Sequence, residues 1–287
     1  MTNDIEKGII RYDGPKTYRV SVDDVIWVFQ DIARHANEYK SIFDAPLLAL
    51  FRKLHEEYGA AFHLNIYYTT PEHGGFDLSE MPDKYRDEWI ANRGWLRLSF
   101  HAHANDPQFP YTGAPYEKAY TECKQVMDEI RRFAGEPSKV TTIHYADATP
   151  DGVRAFYDCG VRALLGDFAY HPKDGREWLC YYLDHEHFEA VRKNVFWKDE
   201  ETGMIFFPCD VVLNTMTPDE IPPEMDRFAE KWGRDRKFID ILIHEQYFYP
   251  DFKRYESDYE DRIRAGIEWC VSHGYRPGLV SDVLGLD

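Results

Sequence analysis

An apolar run, LSFHAHANDP at 98–107, closes on His101 and His103, two imidazoles one residue apart. In an extended strand residues i and i+2 face the same way, so both rings would aim at one spot. Neutral imidazoles joined by one or two carboxylates suit zinc or another divalent transition metal, whereas magnesium and calcium want a shell of oxygens. Carboxylates of that kind stand side by side in VSVDDV (20–25), as Asp23 and Asp24. One of such a pair can ligate while its neighbour serves as general base toward an activated water. His144 ends KVTTIHY, Asp167 ends VRALLGD, and His244 with Glu245 closes the apolar part of FIDILIHEQY; Asp210 lies inside MIFFPCDVVL. His63, in mid-run with Asn65 two residues on, reads as structural, and the second HxH, His185 and His187 in acidic LDHEHFEA, as a solvated face. Nothing resembles a GxSxG elbow or a phosphate-cradling glycine loop.

Seven β-rich runs must position these residues: 17–24, 60–68, 94–103, 139–145, 161–167, 204–213 and 238–247, with 276–282 as a shorter eighth. Helical periods lie between them, as in Leu47, Leu50, Phe51, Leu54 and Tyr58, or Tyr116, Tyr120, Cys123, Met127 and Ile130. The segment TPDGVRAFYDCG (149–160) has Thr149 as N-cap, Pro150 at the first helical position and Gly160 as the stop. Strands alternating with helices predict an α/β fold, a single domain over 1–287 built as a distorted (β/α)7–8 barrel with parallel strands. The stretch 168–203 breaks the rhythm and reads as a rim insertion, a hairpin plus a helix. Active sites of parallel α/β barrels sit at the C-terminal ends of the strands, where these ionisable residues collect.

With 34 basic against 51 acidic residues the net charge is -17, a field that repels phosphate backbones and anionic lipid and excludes nucleic acid as a partner. No run approaches the ~20 apolar residues of a membrane span, and MTNDIEKGII lacks a signal pattern, so a cytoplasmic location is expected. Five cysteines, odd in number and without a CxxC pair, read as reduced core residues. Aromatic residues make up 16% of the chain, as many as a carbohydrate-facing cleft or a large core would use. Oligomeric state is not legible.

In the order of its units the chain resembles the polysaccharide deacetylase superfamily, the NodB-homology fold. VSVDDV matches the family's first motif, LLALFRKLHEEYGAAFHLNIYY (47–68) the helix and strand after it, FHAHAND the second motif and ILIHEQ (241–246) the late L-x-H motif. The resemblance implies Asp23 as catalytic base, Asp24 and His101 as metal ligands, and His244 as general acid. It implies metal-dependent hydrolysis of an N-acetyl or related amide or ester bond on a carbohydrate-like substrate, through a divalent ion, zinc foremost, with iron, manganese, cobalt or nickel as substitutes. The family's HxxxH would place its second histidine at 105, where this chain has Asn105, so either His103 or His144 replaces it in the ligand set or Asn105 serves as a weak oxygen ligand. The motif arginine also lacks a counterpart, TTIHYADAT (141–149) standing in its place. Glu245 and Asp210 are the candidates for substrate contacts. The alternatives are a barrel that has lost catalysis and binds carbohydrate or regulates a partner, and a metal-free glycosidase using Glu245 with Asp23 or Asp210.

Overall fold

The computed structural model describes residues 2–233 and 236–286. Seven parallel strands follow in chain order: β1 Thr17–Val25, β2 Phe62–Tyr67, β3 Leu96–Ala102, β4 Val140–Thr142, β5 Ala163–Gly166, β6 Ile205–Pro208 and β7 Phe238–His244. β7, β1, β2 and β3 pair in that order in one sheet, and β6, β5 and β4 in another. At one seam the chain carries β6 on into Val211–Val212, which pairs with β7. Across the other seam β3 meets β4 through Ser138 N–H to Leu98 O (2.8 Å), Ser99 Oγ to Thr141 Oγ1 (3.1 Å), and Thr141 Oγ1 to Phe100 O. The result is a distorted α/β barrel with incomplete ladders at its seams.

Both faces of these strands are covered, and each face has its own chemistry. Along β1, Tyr18, Val20 and Val22 alternate with Arg19, Ser21 and Asp23, all buried. The apolar set joins the main core with helices such as α1 Trp27–Arg34, α2 Pro46–Tyr58, α3 Tyr116–Phe133 and α4 Pro150–Asp158. The polar set faces its counterparts on neighbouring strands, so the barrel interior is lined by hydrogen-bonding side chains. β2 repeats the alternation with His63 and Asn65, β3 with Ser99 and His101.

The segment 149–160 folds as its caps require: Thr149 accepts from Gly152 N–H at 3.1 Å, and Gly160 has φ +105°. Residues 168–203 hold the antiparallel pair Ala169–Tyr170 and Glu177–Trp178, the helix α5 His185–Asn194, and Phe196–Lys198 running antiparallel to β6. The eighth run contributes no barrel strand. Arg276–Pro277 pairs only with Thr17–Tyr18, because β2 occupies that flank of β1 from Val20 onward, and Val280–Leu284 is helical. All five cysteines are free, and no helix among the described residues is long and apolar enough to cross a membrane.

Candidate metal centre

At the C-terminal end of β1 the ladder with β2 slips between Val22 and Val25, and Asp24 in the gap adopts φ +62°. A left-handed corner is disfavoured for most residues and tolerated by aspartate. It turns the Asp24 side chain toward the ends of β3 and β4. His101 is the penultimate residue of β3; His144 follows β4 in a 3₁₀ turn, His144–Ala146.

Asp24 Oδ1 lies 3.1 Å from His101 Nε2 and 3.3 Å from His144 Nδ1, and the two nitrogens are 3.2 Å apart. A tetrahedral ion with ligands at about 2.0–2.1 Å has edges of about 3.3 Å, so these atoms fit one face of its shell. The second nitrogen of each ring is turned to a main-chain carbonyl. His101 Nδ1 donates to Thr142 O, and His144 Nε2 donates to Asn105 O at 3.2 Å. Those bonds fix tautomers in which His101 Nε2 and His144 Nδ1 present lone pairs to the centre, the outer-shell arrangement of metal-ligating histidines. Two imidazoles and a carboxylate thus fit a divalent transition metal. Tyr67, at the end of β2, donates its phenol to Asp24 Oδ1 and lies 2.9 Å from His144 Nδ1.

Asp23 points into the barrel, where Oδ1 accepts from Asn65 Nδ2 at 2.6 Å and from Ser21 Oγ at 3.3 Å. Burial pushes its carboxyl well above the ordinary range; the Asp24 charge adds to that, and the Asn65 bond opposes it. Burial would raise Asp24 too, but the neighbouring His101 and His144 imidazoles, with His244, outweigh it and hold Asp24 well below that range. His244 donates Nδ1–H to Asn214 Oδ1 at 3.1 Å, which leaves Nε2 as its free nitrogen in the pocket wall. Burial lowers its pKa against the pull of Asp24.

Three sequence expectations are corrected. His103 stays outside the cluster, because β3 ends at Ala102 and the ladder slips at His101, so i and i+2 no longer share a direction. Its ring stacks on Tyr68 at 5.3 Å instead. Glu245 is no substrate contact: fully buried, it accepts N–H bonds from Ile26 (2.6 Å), Trp27 (2.8 Å) and Val28 (2.7 Å). Asp210 sits where the chain bends between β6 and Val211–Val212, with Oδ1 on Arg236 (2.7 Å) and Oδ2 on Asp240 N–H (2.9 Å). A glycosidase pair built on Glu245 or Asp210 is therefore not formed. His63 lies in the barrel interior against Arg19, while His185 and His187 cap and flank α5 at the surface. Sequence reasoning missed Tyr67 and Asn214, since a tyrosine ending an apolar run and an asparagine in a turn carry no spacing signal. Asn65 had been noted only for its alternation with His63.

These groups form the floor of a pocket of about 930 Å³, into which Asp23, Asp24, His101, His144, Asp167 and His244 all face. Burial, then the charge of Asp240, pushes the Asp167 carboxyl up to about 6. Trp27, Tyr145, Trp178, Tyr247 and Phe252 supply aromatic walls, and Lys253 and Arg254 cations.

No protein-family model matches the chain, and no curated protein sequence matches it. Among solved structures, the 4-alpha-glucanotransferase of Thermococcus litoralis is similar over 95% of this chain, with TM-score 0.60 and 16% identity. This chain spans 40% of that enzyme's length. A family 4 acetyl xylan esterase of Clostridium thermocellum, in complex with a cobalt ion, matches 94% of this chain and 91% of its own, with TM-score 0.51 and 11% identity. A Mycobacterium smegmatis protein assigned as a polysaccharide deacetylase matches 97% and 93%, with TM-score 0.51 and 10% identity. The chain thus shares with these structures the α/β barrel fold that its order of units predicts.

Proposed function

We propose that the chain is a metal-dependent hydrolase that removes an N-acetyl or related acyl group from a carbohydrate-like substrate. The observation that carries this reading is the convergence of Asp24, His101 and His144, each imidazole locked into its ligating tautomer by a main-chain carbonyl. Bound there, a divalent ion, zinc foremost, would polarise the acyl carbonyl and lower the pKa of a water molecule.

The chain's own groups do the rest. Asp23, beside Asp24 and fixed by Asn65, takes the proton of the attacking water. His244 carries a proton on Nε2, its other nitrogen being held by Asn214, and delivers it to the leaving nitrogen or oxygen. The acyl C–N or C–O bond breaks as the water oxygen joins the acyl carbon. Tyr67 keeps Asp24 Oδ1 directed at the centre. The aromatic walls offer flat faces to sugar rings.

The test is elemental analysis of protein purified without chelator or a histidine tag, followed by acetate release from N- and O-acetylated oligosaccharides. One equivalent of metal with acetate release is expected. Metal-replete protein that releases no acetate, while still binding the sugars, would favour the binding barrel instead. His244→Ala should keep the metal and lower kcat by about 10²- to 10⁴-fold.

A further inference from the structure

The residues just after His244 grip the main chain just after Asp24. Glu245 takes the N–H groups of Ile26, Trp27 and Val28 on its two carboxylate oxygens. Gln246 Nε2 donates to the carbonyl of Asp24 itself at 3.1 Å. Four hydrogen bonds from two adjacent side chains therefore fix the corner from Asp24 to the first turn of α1. That corner needs fixing, since it carries a ladder slip and a left-handed aspartate, a conformation that persists only where its surroundings impose it.

We propose that Glu245 and Gln246 are positioning residues that set the divalent-ion affinity of the Asp24–His101–His144 centre. This rests on the reading of Asp24 as a ligand. The strand that ends in His244 is thereby tied to the strand that ends in Asp23 and Asp24, so one clamp holds the proton donor, the base and the carboxylate ligand in register. Glu245 is fully buried and reaches no substrate; its effect passes through the backbone. A helix cap with no further role would stabilise α1 and leave ion affinity alone.

The experiment measures Co²⁺ affinity by competition with a chromophoric chelator, together with the visible cobalt spectrum and near-UV circular dichroism. It compares the wild type with Glu245→Gln, Gln246→Met and, as a remote cap control, Asp184→Ala, which removes the N-cap of α5. Glu245→Gln turns an amide –NH₂ toward main-chain donors and should weaken Co²⁺ binding about 10- to 100-fold, the range for loss of an outer-shell support, with a shifted cobalt spectrum. Gln246→Met loses one bond to the Asp24 carbonyl and should weaken binding by about threefold or more, a smaller effect than the loss of a whole outer-shell support. The control should lower the melting temperature without changing affinity.

Wild type that binds no cobalt would sink the metal-centre reading, and the clamp with it. Wild type that binds, with folded Glu245→Gln and Gln246→Met variants within twofold of it, would overturn the clamp alone. Should Glu245→Gln fail to fold, unchanged cobalt affinity in Gln246→Met would reduce Glu245 to a helix cap and overturn the proposal.

Discussion

The barrel holds two buried polar clusters stacked along the same strands, and they differ in where their hydrogen bonds end. In the lower one, Arg19 Nε pairs with Asp240 Oδ2 at 2.5 Å, Arg19 Nη1 meets His63 Nδ1 at 3.0 Å, and His63 Nε2 meets Ser99 Oγ at 2.9 Å. It is sealed from solvent and spends its polarity on itself, apart from Arg19 Nη2 and Asp240 Oδ1, which have no partner among the described residues. In the upper one, His101 and His144 turn their outer nitrogens to main-chain carbonyls, and with Asp24 they turn their inner atoms to one point in a pocket. Asn65 joins the layers, donating to Asp23 and accepting from Ser99 at 2.9 Å. Residue type does not separate the clusters, since each contains histidine and aspartate. Depth along the strand does: a ligand set needs lone pairs left over at an open end, whereas a buried network must use them up.

The largest effect should come from Asp24→Ala, which removes the carboxylate common to both contacts. Loss of bound metal and at least a thousandfold fall in acetate release are expected, by elemental analysis and kinetics, with a fold that still melts cooperatively. Retained metal would place the centre elsewhere. In the lower cluster, Asp240→Ala leaves the Arg19 guanidinium buried without its carboxylate and should cost about 3–5 kcal/mol in urea unfolding. A joint Arg19→Met, Asp240→Leu replacement should recover most of it. If instead Asp240→Ala spared stability and removed metal, the two clusters would be one site.

A smaller effect is expected with pH. Burial, with the Arg19 and Arg97 charges, holds His63 well below its ordinary pKa, so the folded protein keeps it neutral. The unfolded chain takes up that proton near its normal pKa of about 6.5. The His63 contribution to stability is thus fully present above that value and lost as pH falls below it toward the folded pKa, at up to about 1.4 kcal/mol per pH unit. Urea unfolding between pH 7.5 and 5 should show a steeper slope in the wild type than in His63→Gln, which keeps only the part contributed by the other buried histidines such as His101 and His244. The smallest effect is reserved for His103→Ala, whose ring lies against Tyr68 rather than at the centre. Metal content should be unchanged; loss of the ion there would place His103 in the ligand set beside His101.

Much of this was legible in the chain because it depends on local order. Seven runs became seven strands in the expected places, since alternating apolar and polar residues can bury one face under helices and the other inside a barrel. Thr149, Pro150 and Gly160 bounded their helix by short-range capping alone. The adjacent aspartates and the histidines at strand ends marked the open rim. Distance in space was not legible. The choice of His144 over His103 was made by a one-residue slip between β2 and β3, which no periodicity announces. Glu245 looked like a pocket residue beside His244, yet three N–H groups from a helix 217 to 219 positions away claim both its oxygens. Sequence by itself determined the alternating pattern, and with it the fold and the rim. Only the tertiary structure decided which rim atoms converge and which are consumed, because a lone pair's partner is set by register and closure.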